Sequence, residues 1–474
     1  MTFLIILLLS TLSIHAKQTA YVHLFEWKWN DIAIEYTEFL GPKGFSAVQV
    51  SPPNEHSVLK KYPWYQRYQP VSYQLNSRSG TEAEFIRMVR VCDSVGVDIY
   101  VDAVINHMTS NDALTPVLVG NAGSVYGHYQ YPLIYGYNDF HHCHLNSDDD
   151  IKNWLERWEV QNCELGNLAD LKTESFYVQS QIKNYLRRLV DIGVKGFRID
   201  AAKHIPAADL EQILKEIKDK VFIYQEIIAQ PNEPIQPKEY FSLGTVTEFK
   251  YGSDIANIFL NGQLSWINNN KPIGEAWGYF PSSKAVVFLD NHDTQREQNS
   301  FSYKQKNKYL LANIFMLAWP YGYPQVMSSF AFQNRQQSPP SDINGNTKSV
   351  HGVEGIGCLN IGQIGRASEG WICEHRWEAI ADMIEFRKLT EDEKEITNWW
   401  SNDNNQIAFS RGDKGFVVIN NESQALTHNF QTGLPQGSYR DIIKNLKVEV
   451  DHLGMAAIHL GPESALVIHQ KIVN

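Results

Sequence analysis

Residues 196–204 read Gly-Phe-Arg-Ile-Asp-Ala-Ala-Lys-His. An apolar helix pattern over 175–192 precedes them, with Val178, Ile182, Leu186, Leu189 and Val190 facing inward, and it stops at Gly193. A short strand then carries Arg198 and Asp200 on one face, because strand side chains alternate with period two. A guanidinium on that face stabilises the charged form of a carboxylate. A charged, positioned aspartate suits a nucleophile or an electrostatic stabiliser. The same spacing also suits a structural ion pair at a strand end, and the surrounding chain has to separate the two readings.

Working outward, strand and helix patterns alternate. Strands are expected at 21–27, 45–51, 98–107, within the opening stretch, and at 221–228, 245–250, 285–291 and 325–329. Helices are expected at 30–40, from the capping box Thr81-Glu82-Ala83-Glu84, and at 175–192, 209–220 and 309–318. Eight strands in such an alternation predict an α/β fold, a closed parallel (β/α)8 TIM barrel. Residues 108–169 show no period and are too long for a plain loop, so they form an irregular subdomain inserted after the third strand. From residue 393 the pattern changes to short strands (405–410, 415–420, 456–460, 465–469), a C-terminal all-β domain over 393–474. The barrel is left with 17–107 and 170–392.

Residues 1–16 are apolar, contain no acidic residue and end in small or polar side chains, as a secretory signal peptide does. No other stretch is long and apolar enough to span a membrane. Net charge is -11 without a Lys/Arg run, which argues against nucleic acid or an anionic membrane as partner. The 12 Trp and 23 Tyr suit large cores or a sugar-stacking surface. Of five cysteines, Cys143 and Cys163 lie close in sequence, as do Cys358 and Cys373, and both pairs are plausible disulfides in a secreted protein. Cys92 sits on a helical apolar stripe with Phe85, Met88 and Val89 and is expected to be a buried core thiol. Asn421-Glu422-Ser423 is a sequon.

In a barrel of this type the active site forms at the carboxyl ends of the strands. Asp200, Glu226 and Asp293 fall there, on different strands, and would converge on one cleft. Like charges in one cleft push their pKa values apart, leaving one acid and one base or nucleophile, the requirement of glycoside hydrolysis. A metal site could use the same carboxylates. The motifs DAVINH (102–107), GFRIDAAKH (196–204), QEII (225–228) and FLDNHD (288–293) resemble, in order and placement, the four signature regions of the alpha-amylase family of glycoside hydrolases. Further agreement at 23–35, 41–56, 68–80, 246–252, 321–330 and 373–377 extends the resemblance over nearly the whole mature chain, and most closely to the animal-type, chloride-associated branch.

That resemblance implies a secreted, endo-acting, retaining enzyme cutting internal α-1,4-glucosidic bonds of starch, glycogen and malto-oligosaccharides. Asp200 would be the nucleophile, Glu226 the general acid and then base, and Asp293 the transition-state stabiliser. His107, Arg198, Lys203 and His292 match substrate-contacting positions, and Trp64, Tyr65, Tyr68 and Gln69 sit where the family lines its glucose subsites. Asn106 and Asp170, with the backbone carbonyls of Gln161 and His204, match the ligands of one structural calcium ion. The family's chloride site uses two arginines and an asparagine. Here Arg198 and Asn291 are present but Gln325 stands at the third position, so chloride is expected to bind weakly or not to be needed, leaving Glu226 tuned by burial alone. The glycine-rich loop that follows the seventh-strand motif is missing after Arg296, which predicts a more open cleft there. Cys92 lacks its family partner, since Tyr36 occupies that place. A monomer is expected, with proteinaceous amylase inhibitors as further partners. The C-terminal domain is read as a cap on the barrel. Two rival readings use the same fold: a relative that favours transglycosylation or releases one fixed oligosaccharide, and a catalytically silent glucan-binding or inhibitor-binding relative. The three intact carboxylates argue against the silent one.

Overall fold

A computed structural model describes residues 19–110, 118–132, 134–298, 300–359, 361–364 and 366–470; the apolar leader lies outside them. Eight strands close into a parallel barrel in chain order. They are Tyr21–Leu24, Ala47–Val50, Asp98–Ala103, Gly196–Ile199, Phe222–Gln225, Thr245–Thr247, Ala285–Val287 and Tyr323–Ser328, the last pairing with the first. Helices Glu82–Ser94, Phe176–Ile192, Ala207–Leu214, Phe249–Leu260, Asn307–Ala318 and Glu378–Leu389 contribute to the jacket.

Several boundaries differ from the sequence reading, each for a local reason. The third strand does not run to residue 107. It ends at Ala103, and His107–Ser110 forms a second strand antiparallel to Leu168–Asp170. Val104 and Ile105 are fully buried and continue the apolar run, so nothing in the pattern marks the exit from the barrel. That antiparallel pair is the base from which the inserted segment leaves. The sixth strand stops at Thr247 because the Glu248 carboxylate accepts from the Lys250 N–H and caps the following helix. The seventh stops at Val287, short of 291, and the helix expected at 209–220 covers Ala207–Leu214. The eighth starts two residues early and contains Pro324, which a propensity reading treats as a break. The helix expected at 30–40 is Trp29–Glu35, continued by a π-turn over Tyr36–Leu40.

The barrel interior changes character along its axis. Toward the amino ends of the strands Tyr21, Tyr100, Tyr224 and Tyr323 pack with Ala47 and Val286. Gly196 makes room for this layer, since a Cβ there would lie 2.4 Å from the Tyr100 ring. One step up, Gln49, Asp102, Arg198 and Gln325 are buried.

The C-terminal domain carries a four-stranded antiparallel sheet of Thr397–Ser401, Gln406–Arg411, Gly415–Asn420 and Ser464–His469. Two further pairs join it, Leu426–Gln431 with Met455–Leu460 and Gly437–Arg440 with Lys447–Val450. The strand Leu426–Gln431 escaped the sequence reading because its middle is polar and exposed. Arg411 ties the domain to the barrel by donating to Ala318 O and Thr390 O. Asn421 is buried and its amide donates to Phe259 O at 3.0 Å, so this sequon is not open to a glycan. Both disulfides, Cys143–Cys163 and Cys358–Cys373, are formed. Cys92 is a buried free thiol beside Tyr36, and burial pushes its pKa up.

Candidate active site

Arg198 is the register partner of Asp102 on the neighbouring strand. Its Nη1 lies 2.6 Å from Asp102 Oδ1 and 2.8 Å from Asp200 Oδ1, and its Nη2 lies 2.5 Å from Glu226 Oε1. One buried cation therefore meets three buried carboxylates. Ala201 follows Asp200 with φ at 49°, an uncommon conformation for a residue with a Cβ. The turn it makes lets the Ala201 N–H donate to Glu226 Oε2 at 3.1 Å. Burial pushes the Glu226 carboxyl above the usual range; Arg198 opposes this, Asp200 adds to it and the Ala201 N–H opposes it. Glu226 is thus not tuned by burial alone, as the sequence reading had it. Burial also pushes Asp102 up to about 7 against the pull of Arg198. Asp293 is pushed up to about 7 by burial and then by Glu226, an effect moderated by the 41% of its side chain that stays open to the cleft.

His292 Nε2 lies 3.2 Å from Asp293 Oδ2, and its ring stacks on Tyr68 at 4.8 Å between centroids and 11° between planes. Burial lowers the His292 pKa, which keeps the ring neutral. Trp64 stands edge-on to His292, and Tyr65 edge-on to Trp64. His107 Nε2 lies 3.0 Å from Tyr68 O. Gln69 is less free than a subsite residue should be: its Oε1 accepts from the Ser57 hydroxyl and the Ser110 N–H. On the other side of Glu226 a cleft of about 280 Å³ is lined by Trp154, Lys203, His204, Ile228 and Glu233 among others. Lys203 Nζ lies 2.5 Å from Glu233 Oε2 and 5.1 Å above the Trp154 ring.

Asp102, Trp154 and Glu233 were not singled out in sequence. Asp102 had only a partial signal: a charge inside a buried barrel strand needs a counter-ion, but that Arg198 supplies it follows from the register between the two strands. Trp154 and Glu233 lie in irregular segments and had none.

Comparisons with known proteins bear on the family and the fold. Residues 399–471 match the family model described as the alpha amylase C-terminal all-beta domain. The alpha-amylase-related protein of Drosophila auraria is 42% identical over 467 residues, spanning 93% of this chain and 90% of that protein. That of Drosophila atripex is 42% identical over 484 residues, spanning 96% and 94%. This chain belongs to the alpha-amylase family. The crystal structure of alpha-amylase I from Eisenia fetida, a Glu-to-Gln mutant in complex with maltohexaose, superposes with a TM-score of 0.87 at 38% identity over 96% of this chain and 97% of that one. The fold and the family place this chain in the alpha-amylase family of glycoside hydrolases.

The calcium ligands implied by the family can be tested for fit. The Asn106 amide lies 3.2 Å from Asp170 Oδ1. The segments bearing the two carbonyls are joined, with His204 Nδ1 2.9 Å from Val160 O and Gln161 Nε2 donating to Lys203 O. One carboxylate, one amide and two carbonyls are hard oxygen donors from separate segments, which suits calcium. Among the described residues no group of three or more His, Cys, Asp or Glu forms a ligand cluster, and this set needs only one such residue. The chloride residues fit less well. Both terminal nitrogens of Arg198 face carboxylates. Asn291 Oδ1 accepts the N–H groups of Asp293 and Thr294, and Gln325 Oε1 accepts the Tyr21 hydroxyl. Among the described residues no second cation is paired with Arg198 and Asn291 there, and Gln325 brings no charge.

Proposed function

We propose that this protein is a secreted, endo-acting alpha-amylase that hydrolyses internal α-1,4-glucosidic bonds of starch, glycogen and malto-oligosaccharides with retention of configuration. The observation that carries the reading is the single guanidinium of Arg198 touching both Asp200 and Glu226. Two carboxyls gripped by one side chain are close, as a retaining mechanism requires. Asp200 attacks the anomeric carbon while Glu226, protonated through burial, gives its proton to the departing glycosidic oxygen. Glu226, now a carboxylate, takes a proton from the water that releases the sugar from Asp200. Asp293, His292 and His107 hold the hydroxyls of the distorted ring. Trp64 and Tyr65 stack on glucose faces, and Lys203 with Glu233 binds on the leaving-group side.

Asn106, Asp170 and the carbonyls of Gln161 and His204 would hold one calcium ion, which when bound supplies a cross-link between the inserted segment and the barrel. Chloride binds weakly or is not needed, because Gln325 is engaged by Tyr21 and brings no charge. The maltohexaose bound by the Eisenia enzyme supports an oligosaccharide substrate. The apolar leader and the two disulfides support secretion.

The Drosophila relatives are named only as alpha-amylase-related, which keeps the silent glucan-binding reading as the rival. The deciding experiment is reducing-sugar release from soluble starch in chloride-free calcium buffer, wild type beside Glu226→Gln. Activity that falls by about 10²–10⁴-fold in the variant at unchanged Tm is expected. A wild type that is retarded by starch in affinity electrophoresis yet releases no sugar with or without chloride would sink hydrolysis in favour of the silent reading.

A further inference from the structure

Arg296 closes the turn Thr294–Arg296 that Asp293 begins. Its own N–H donates to Asp293 O at 2.9 Å, and its Nη1 donates to His292 O. The residue is 6% exposed. Four aromatic rings box the guanidinium, with centroids at 4.5 Å (Phe332), 4.9 Å (Phe330), 5.0 Å (Trp64) and 5.2 Å (Phe25). Among the described residues its Nε and Nη2 have no hydrogen-bond partner. Its charge is therefore held by ring faces and one carbonyl, with no bonded carboxylate.

A buried, incompletely partnered charge is a poor way to fill space, and an apolar side chain would do it better. The rings around it explain its presence. Trp64 belongs to the sugar wall, and Phe25 stacks on His292 at 5.1 Å and 27°. Phe332 carries Lys304 Nζ 3.6 Å away, so cations hold that ring too. We propose that Arg296 is a positioning residue for sugar binding: it fixes His292 and Asp293 through their shared turn and Trp64 through its ring face. The inference rests on the α-glucan substrate proposed above. The field of Arg296 acts in the same direction. Asp293 faces Glu226, Arg198, Asp200 and Arg296, and Arg296 in turn faces Asp293, Tyr303, Glu26, Tyr68 and the Lys304 ammonium. The charge on Arg296 favours the ionised form of Asp293.

The test compares Arg296→Lys and Arg296→Met with wild type in the full chain. It reads Tm, maltohexaose binding by tryptophan fluorescence, and the pH profile of kcat/KM on maltohexaose. Arg296→Met should lower kcat/KM by about 10²-fold, weaken binding, and move the acid limb to higher pH. Arg296→Lys should keep the acid limb near wild type while binding stays weakened, because an ammonium cannot bond His292 O and fill the four-ring box at once. Unchanged binding and an unchanged acid limb in Arg296→Met would overturn the inference, whatever happens to Tm. A wild type that binds maltohexaose without cleaving it sinks the hydrolytic reading alone, and the binding comparison then decides on Arg296. A wild type that does neither overturns both.

Discussion

The two ends of one barrel interior solve the same packing problem with opposite chemistry. At the amino ends of the strands, tyrosines fill the space and their hydroxyls find partners: Tyr224 donates to Gln49 Oε1 at 2.6 Å, Tyr21 to Gln325 Oε1 at 2.9 Å, and Tyr323 pairs with Ser46 at 2.7 Å. At the carboxyl ends, Arg198 faces three carboxylates and cannot neutralise them all. The lower layer is satisfied, and the upper layer is left with charges in competition. Burial first, and then the neighbouring Asp200, push the Glu226 carboxyl above its ordinary range even though Arg198 pulls the other way. Gln49 links the two, accepting from Tyr224 and donating to Asp102 Oδ2 at 3.3 Å.

The contrast can be broken at three points, in descending order of effect. Arg198→Met leaves three buried carboxylates without their cation and should cost about 3–5 kcal/mol of stability, with starch hydrolysis falling too. A urea titration that gave wild-type stability would show that the upper layer is not charge-strained. Asp102→Asn tests the same strain through pH. The Asp102 pKa is raised in the folded state, from 3.8 to about 7, so its contribution to stability is full below 3.8 and is lost as pH rises through about 7. The variant should therefore lose less stability than wild type across that window when Tm is followed against pH. Equal slopes would mean that other groups carry the effect. The smallest change is expected below, where Tyr224→Phe deletes one satisfied hydrogen bond and should cost about 1 kcal/mol with activity retained. A large loss of activity from Tyr224→Phe would mean that the two layers are coupled through Gln49.

Much of this molecule was legible in the chain. The alternation of apolar helix stripes with eight short strands implied the barrel, because each parallel strand needs a crossover helix before the next. The capping box at Thr81–Glu84 is formed as read, and both cysteine pairs were read from their closeness in sequence. Boundaries were less legible, since strand exits such as Ala103 to Asn106 depend on where a neighbouring segment offers backbone partners. The spacing of Arg198 and Asp200 exposed half of the central cluster. The other half, Asp102, needed the register between two strands that lie far apart in sequence.

By itself, then, the sequence determined the architecture, the family and the types of group at the strand ends, because these follow from local periodicity and from residues held within single motifs. Only the tertiary structure decided how those groups share charge. That one guanidinium would face three carboxylates, that Gln325 would be taken up by Tyr21, and that Arg296 would be boxed by rings from residues 25, 64, 330 and 332 depend on contacts between distant segments. Burial and mutual distance set the balance of charge in such a cluster, and neither is a property of any one stretch of chain.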